Sequence, residues 1–343
     1  MSLPLPTSIS AMEARVADTL PHGTWQFEPK WDGFRCLAFK EGKFVTLMAK
    51  SGKALTSYFP EMEAALSRLA GSWVLDGELV IPVGEQLSFD ALQMRLHPAE
   101  SRRRKLAAQT PAVMILFDLL AEGRTDFTAK PLSARRARLE KLVAGFGAQE
   151  RLRLSPYTRD RAVAQKWLKQ AGRGSLDGVI AKPLEGPYAS GERAMVKVKN
   201  LKTADCVVGG FRYATGSRQV GSLLLGLFNE EGRLDHVGFT SGFAGQDRAA
   251  LTRRLLALKA EPGFSGNAPG GPSCWSTERS AVWVPVRNKL VAEVRYDHVT
   301  DGRFRHGTKF LRWRPDKAVR SCTFDQLQPE MRPGKVFANL FDL

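Results

Sequence analysis

Lys30 stands in the stretch EPKWDGFRCLAF, Glu28 to Phe39, between a proline and a Trp-Asp-Gly turn and at the mouth of an apolar run. A strand core has no use for an ammonium group, so the placement points to chemistry. The chemistry a lysine offers is nucleophilic attack. A free lysine with a pKa near 10.4 is only about 1 part in 2,500 neutral at pH 7. It reacts only where desolvation or neighbouring cations depress that pKa, so other positive groups must stand nearby. In AMVKVKN, strand alternation puts Lys197 and Lys199 on one face and Val196 and Val198 on the other. Two cations on one face repel each other. They make sense as a grip on an anion such as a phosphate, or as the protection of an edge strand.

Carboxylates interrupt apolar runs as well. Asp76 and Glu78 lie in WVLDGELVIP, and Asp177 lies in LDGVIAKP. Inside such runs a carboxylate must be paired, hydrogen-bonded or bound to a metal. Structural ion pairs and oxygen ligands for Mg²⁺ both fit. Phe117 in ILFDLL is either plain core or a ring on which a base stacks. The basic run RRRK, Arg102 to Lys105, reads as a solvated loop rather than a phosphate grip, and Arg253 and Arg254 are open to both readings.

These residues must be held by strands. The first two hundred residues alternate strand-like runs (GFRCLAFK, KFVTLMA, WVLDGELVIP, AVMILFDLL, LDGVIAKP, AMVKVKN) with helical patterns (PEMEAALSRLA, LSARRARLEKLVAGF, RDRAVAQKWLKQAG). Read as a strand and turn, Glu28 and Lys30 project to one side, and Gly33 permits a tight bend or a close backbone approach. Met62, Ala65, Leu66 and Leu69 repeat at helical spacing and mark a core face. Beyond Asn200 the pattern becomes short strands (DCVVGGFRY, VGSLLLGLF, RLDHVGFTSGF, AVWVPV, LVAEVRYDHV), one helix (QDRAALTRRLLALKA) and the Gly/Pro loop EPGFSGNAPGGPS, which suggests a small closed β-barrel. With 343 residues the chain divides into two domains, 1–201 and 202–343.

The charge is the informative bulk property. Fifty-one Lys and Arg against 35 Asp and Glu leave a formal +16, which points to a polyanion as partner, nucleic acid before membrane. No run approaches about 18 apolar residues, so no membrane span is expected. The N-terminus does not read as a secretion signal. The four cysteines, Cys36, Cys206, Cys274 and Cys322, form no Cys/His cluster, which argues against structural zinc and disulfides and for a reducing cytoplasm.

Five strings stand in order: KWDGFR (Lys30 to Arg35), DGELV (Asp76 to Val80), LFDLL (Leu116 to Leu120), DGVIAK (Asp177 to Lys182) and VKVK (Val196 to Lys199). Together they resemble the covalent nucleotidyltransferase superfamily, and within it the ATP-dependent DNA ligases. RFRHGTKFLRWRPDK, Arg303 to Lys317, is similar to the closing motif on the OB-fold domain of these ligases. Length and wording look most like small bacterial ligases, close to the ligase module of bacterial end-joining enzymes. The resemblance covers roughly residues 10 to 330. It implies an α+β fold: a nucleotidyltransferase (ATP-grasp-like) adenylation domain followed by a C-terminal OB-fold β-barrel.

The resemblance also implies roles. Lys30 would attack the α-phosphorus of ATP to give a lysyl-AMP. Glu28 matches the reader of the adenine amino group and Phe117 the ring that stacks on adenine. Arg35 and Glu78 match contacts to the ribose or a nearby phosphate, with Glu78 also near the metal, and Asp177 matches the acidic metal position. Lys197 and Lys199 match the pair on the α-phosphate. Arg314, Asp316 and Lys317 match the motif that orients the leaving pyrophosphate. Lys50, in MAKSG, stands where the family shows an arginine that touches the 5′-phosphate of a nick, and lysine lacks the bidentate fork. Asp177 stands where many of these ligases carry glutamate. The implied reaction is sealing of nicked duplex DNA, with three alternatives: an mRNA-capping guanylyltransferase, an RNA ligase and a non-catalytic nucleic-acid-binding protein. The implied cofactors are ATP with Mg²⁺ or Mn²⁺. A Ku-type end-binding partner and a monomeric chain complete the expectation.

Overall fold

A computed structural model describes residues 3–327 except 85, 172–175, 244, 271–281, 298, 301 and 306. Cys274, His306 and part of the 261–273 loop therefore lie outside the described residues. Met1–Asn200 cluster into one compact unit and Leu201–Glu330 into a second.

Two sheets carry the first unit. One runs Ala14–Ala17, Met195–Val198, Leu176–Pro183, Trp25–Trp31. The other runs Leu152–Leu154, Val113–Glu122, Trp73–Val80, Phe34–Glu41, Phe44–Ala49, with Thr125–Asp126 paired off Val113–Glu122. Phe27, Trp31, Val179, Val196 and Val198 of the first sheet share a core with Val80, Val113 and Ile115 of the second. A separate core on the second sheet, built on Ala38, Leu47, Leu75 and Leu119, takes Met62 and Leu66 of the Pro60–Ser67 helix and Leu139 of the Leu132–Gly145 helix.

Local signals set these elements. Pro60 occupies the first turn of its helix with Glu61 and Glu63 beside it, where acidic groups favour the positive end of the helix dipole. Asp160 caps the Arg161–Gln170 helix by accepting from the Ala162 N–H at 2.7 Å. Polar groups inside the core are paired: Asp118 accepts two hydrogen bonds from Arg135, at 2.8 and 3.0 Å, and both residues are almost fully buried. The Arg102 to Lys105 run is not a loop. It lies in the Glu100–Gln109 helix, where Arg103 stacks on the Tyr58 ring and Ala107 is buried.

In the second unit the strands Val220–Phe228, Leu234–Gly242, Thr308–Trp313, Val291–Tyr296 and Lys202–Tyr213 pair in that order, and the last also pairs with the first. That closes a barrel around Leu223, Leu225, Val237, Val294 and Phe310. The closing-motif segment thus supplies a strand, Thr308–Trp313, that its composition did not announce. Asp247 caps the one described helix, Arg248–Leu256, by accepting from Ala249 and Ala250. Arg253 and Arg254 occupy its last turn, where cations suit the dipole, and Arg254 stacks on Trp313. No helix among the described residues is long and apolar enough to cross a membrane.

Candidate active site

Lys30 lies in the Trp25–Trp31 strand, which pairs antiparallel with Leu176–Pro183. The register sets Glu28 opposite Ile180 and Lys30 opposite Gly178, then slips between Leu176 and Gly178. Asp177 is the extra residue of that bulge. Bulges re-aim a side chain, and this one turns the Asp177 carboxylate onto Lys30, with which it is ion-paired. The second oxygen of Asp177 lies 3.1 Å from Lys199 Nζ. Glycine is required at 178 because a β-carbon there would stand 2.2 Å from the Val198 carbonyl oxygen. Gly33 is required for the same reason: its β-carbon would lie 2.3 Å from the Leu79 oxygen.

A cavity of about 220 Å³ opens over Lys30. The first sheet lines it with Glu28, Lys30, Lys182 and Lys197, and the second with Arg35, Glu78 and Phe117. Lys50, just past the Phe44–Ala49 strand, also lines it. Glu28, Ile180 and Lys197 stand in register across three adjacent strands, so their side chains share a face.

Two buried networks hold the cavity groups. Arg35 donates to both oxygens of Asp76, at 2.5 and 2.6 Å. Asp76 also accepts from the Tyr188 hydroxyl at 2.6 Å, and that hydroxyl accepts from the Met12 N–H at 3.0 Å. The guanidinium so fixed lies 4.4 Å from the centre of the Phe117 ring. On the other sheet, Glu28 accepts from Gln26 and Lys182, each at 2.8 Å, and the Lys182 ammonium stands 4.3 Å from the same ring centre.

The charges distort one another. Burial pushes the Glu78 carboxyl up to about 7, against the pull of Arg35 and Lys30. Lys197 is pushed below the usual lysine range, first by burial and then by Lys30, Lys199 and Lys50. Lys50 is tied to Glu13 at 3.1 Å, and that contact holds the Glu13 carboxyl below its usual range.

Arg314, Asp316 and Lys317 lie in the second unit. There Arg314 donates to Asp205 at 2.9 and 3.1 Å and to Asp316 at 2.8 to 3.2 Å, and Lys317 Nζ lies 3.6 Å from Asp205.

The model of the ATP-dependent DNA ligase domain matches residues 7–199, and that of the ATP-dependent DNA ligase C-terminal region matches residues 216–317. The chain belongs to the ATP-dependent DNA ligases. DNA ligase C2 of Mycolicibacterium smegmatis is 44% identical over 95% of this chain and 96% of its own. The multifunctional non-homologous end joining protein LigD of Pseudomonas aeruginosa is 32% identical over 93% of this chain and 37% of its own. A solved structure from an analysis of DNA binding by Lig E DNA ligases, 16% identical, matches with a TM-score of 0.57 over 89% of this chain and all of that one, a likeness of fold.

Of the expected residues of the first unit of this ligase, Glu28, Lys30, Arg35, Lys50, Glu78, Phe117 and Lys197 line the cavity, Asp177 contacts Lys30, and Lys199 joins them through Asp177. Asp76 takes the structural-pair reading, holding Arg35. Asp177 spends its oxygens on Lys30 and Lys199. Three contributors escaped the sequence reading of this ligase: Lys182, Tyr188 and, in the second unit, Asp205. Lys182 had a signal, since it lies two residues from Ile180 on the same strand face.

Proposed function

We propose that this ATP-dependent DNA ligase seals nicks in duplex DNA through a lysyl-AMP on Lys30. The observation that carries this reading is the meeting, on one cavity, of Lys30, Lys197 and the Glu28–Phe117 corner, with Asp177 joining Lys30 to Lys199. Phe117 offers a ring face for adenine, and Glu28 offers acceptors for its amino group. Lys182 and Gln26 hold that carboxylate in place. Arg35 and Glu78 face the ribose. Lys197 and Lys199 draw charge from the α-phosphate.

Lys30 gives one ammonium proton to solvent, and its Nζ then forms a bond to the α-phosphorus while the bond to the pyrophosphate oxygen breaks. Catalysis of such a transfer is largely positioning and cationic stabilisation of developing charge. Arg314 and Lys317 receive the pyrophosphate. The 5′-phosphate of the nick, bound by Lys50, then takes AMP from Lys30, and attack by the 3′-hydroxyl closes the strand and releases AMP.

No group of three or more His, Cys, Asp or Glu side chains among the described residues could hold an ion by itself. Mg²⁺ is commonly held by one or two carboxylates plus substrate phosphates, so Glu78 would hold an ion that arrives with ATP, joined by Asp177 once an oxygen of it leaves Lys30 or Lys199. Mg²⁺ or Mn²⁺ held there would supply charge neutralisation on the phosphates. The end-joining relative supports a role in break repair; a Ku-type end-binding partner and a cytoplasmic, monomeric chain belong to the same proposal.

The purified protein, first treated with pyrophosphate to strip bound AMP, is incubated with α-labelled ATP, GTP or NAD and Mg²⁺ or Mn²⁺ and run on a denaturing gel. Label from ATP alone, absent in Lys30→Ala, supports the reading. Label from GTP makes the chain a capping-type enzyme, and no label with any of the three sinks the lysyl-AMP.

A further inference from the structure

We infer that Asp205 is a positioning residue for the adenylation step, fixing Arg314 and Lys317 in the orientation that receives pyrophosphate. This rests on the role proposed for those two cations.

The barrel register puts Asp205 directly opposite Glu293 on the neighbouring strand. Both carboxylates are mostly buried, at 11% and 17% exposure. Like charges in direct cross-strand register destabilise a sheet, so this pair needs a cation. Two cations answer it: Arg312 takes Glu293 at 2.7 Å, and Arg314 takes Asp205, its Nη1 lying 2.9 Å from Asp205 and 3.7 Å from Glu293. A sheet that needed only stability would do as well with apolar residues here. The arrangement makes sense as a fixed holder for a guanidinium.

The holder is itself rigid. The Asp205 N–H donates to Gln326 Oε1 at 2.9 Å, and the Asp205 carbonyl accepts from Gln326 Nε2 at 3.1 Å. The Arg314 N–H donates to the Val291 carbonyl at 2.8 Å, extending the ladder to the end of the strand.

The guanidinium is divided between two kinds of partner. Its Nη1 is committed to Asp205. Its Nε and Nη2 edge is held by Asp316, which is 61% exposed. Exposed ion pairs are weak, and a two-donor edge of arginine matches a phosphate. Phosphate therefore displaces Asp316 from one edge while Asp205 keeps the other still. The Lys317 ammonium, 3.6 Å from the same carboxylate, is placed by the same anchor.

The test separates the steps. Lysyl-AMP formation from ATP and sealing of chemically pre-adenylated nicked DNA are followed in single turnover for the wild type, Asp205→Asn, Asp205→Glu, Arg314→Ala and the Asp205→Asn/Arg314→Ala pair. A misplacement of about 1 Å costs on the order of 100-fold. Asp205→Asn is expected to slow lysyl-AMP formation by roughly 10- to 100-fold while sealing proceeds. Asp205→Glu should recover part of the loss, and the double variant should be no worse than Arg314→Ala. Wild-type lysyl-AMP formation in Asp205→Asn, with Arg314→Ala impaired, overturns the inference and leaves the role of Arg314 standing. Full activity in Arg314→Ala overturns both. Loss of both steps in Asp205→Asn, with a lowered melting temperature, makes Asp205 a structural residue and overturns the inference as well.

Discussion

Lys182 and Glu28 are ion-paired at 2.8 Å although both are almost fully buried, and the same ammonium stands 4.3 Å from the centre of the Phe117 ring. One cation thus ties the acceptor proposed for the adenine amino group to the ring proposed for its face. Removing one partner of a buried pair strands the other charge, at a cost of about 3–5 kcal/mol. Lys182→Met is expected to lower stability by that order in denaturant unfolding and to raise the KM for ATP. Adding Glu28→Gln should return much of the stability and none of the ATP affinity. Unchanged stability in the single variant would contradict the pairing.

Glu78 gives the cavity a titration near neutrality. Its folded carboxyl sits at about 7 against an ordinary 4.5, chiefly through burial. The folded chain then holds a proton that the unfolded chain has lost, so stability falls as pH rises from about 4.5 to about 7. Glu78→Gln should remove that component from unfolding curves recorded between roughly pH 5 and pH 8. In the wild type, kcat/KM for lysyl-AMP formation should rise through a midpoint near pH 7, the ionised carboxylate being the form proposed to meet a metal.

Asp177 orients both Lys30 and Lys199. Asp177→Asn keeps the shape and loses the charge. Lysyl-AMP formation should fall by about 100-fold, the scale of a misplacement near 1 Å, and quench-flow with labelled ATP measures it. A fall below twofold would mean that the ion pair orients nothing.

Lys50 is half exposed and shares its charge with Glu13. A lysine on a phosphate contributes about one unit to the salt slope of DNA binding. Lys50→Ala should weaken binding to nicked duplex and flatten the plot of log affinity against log salt by about one. Glu13→Gln should tighten binding, because it releases the ammonium from its competing anion. Fluorescence anisotropy across a salt series reads both.

Much of the scaffold was legible because its signals are local. Apolar runs punctuated by Gly or Pro, such as GFRCLAFK and LDGVIAKP, became the strands Phe34–Glu41 and Leu176–Pro183. Met62 and Leu66, four apart, became the buried face of the Pro60–Ser67 helix. The reading failed where local composition misleads. RRRK is polar enough to pass for a loop, yet it belongs to the Glu100–Gln109 helix, whose only described buried residue is Ala107. The arginine-rich closing motif concealed the strand Thr308–Trp313 for the same reason.

The sequence by itself determined the chemistry available: a lysine in an apolar setting, two more on one strand face, carboxylates in apolar runs, and a basic surface for a polyanion. Tertiary structure alone decided who faces whom. Lys182 meets Glu28 across 154 residues, Tyr188 meets Asp76 across 112, and Arg314 meets Asp205 across 109. Such pairs follow from strand register, and a shift of one residue would turn every side chain to the opposite face. The bulge at Asp177 shows the same physics on the smallest scale. One extra residue, permitted because Gly178 has no β-carbon to meet the Val198 carbonyl, turns an acidic group in a strand into the partner of Lys30, the proposed nucleophile.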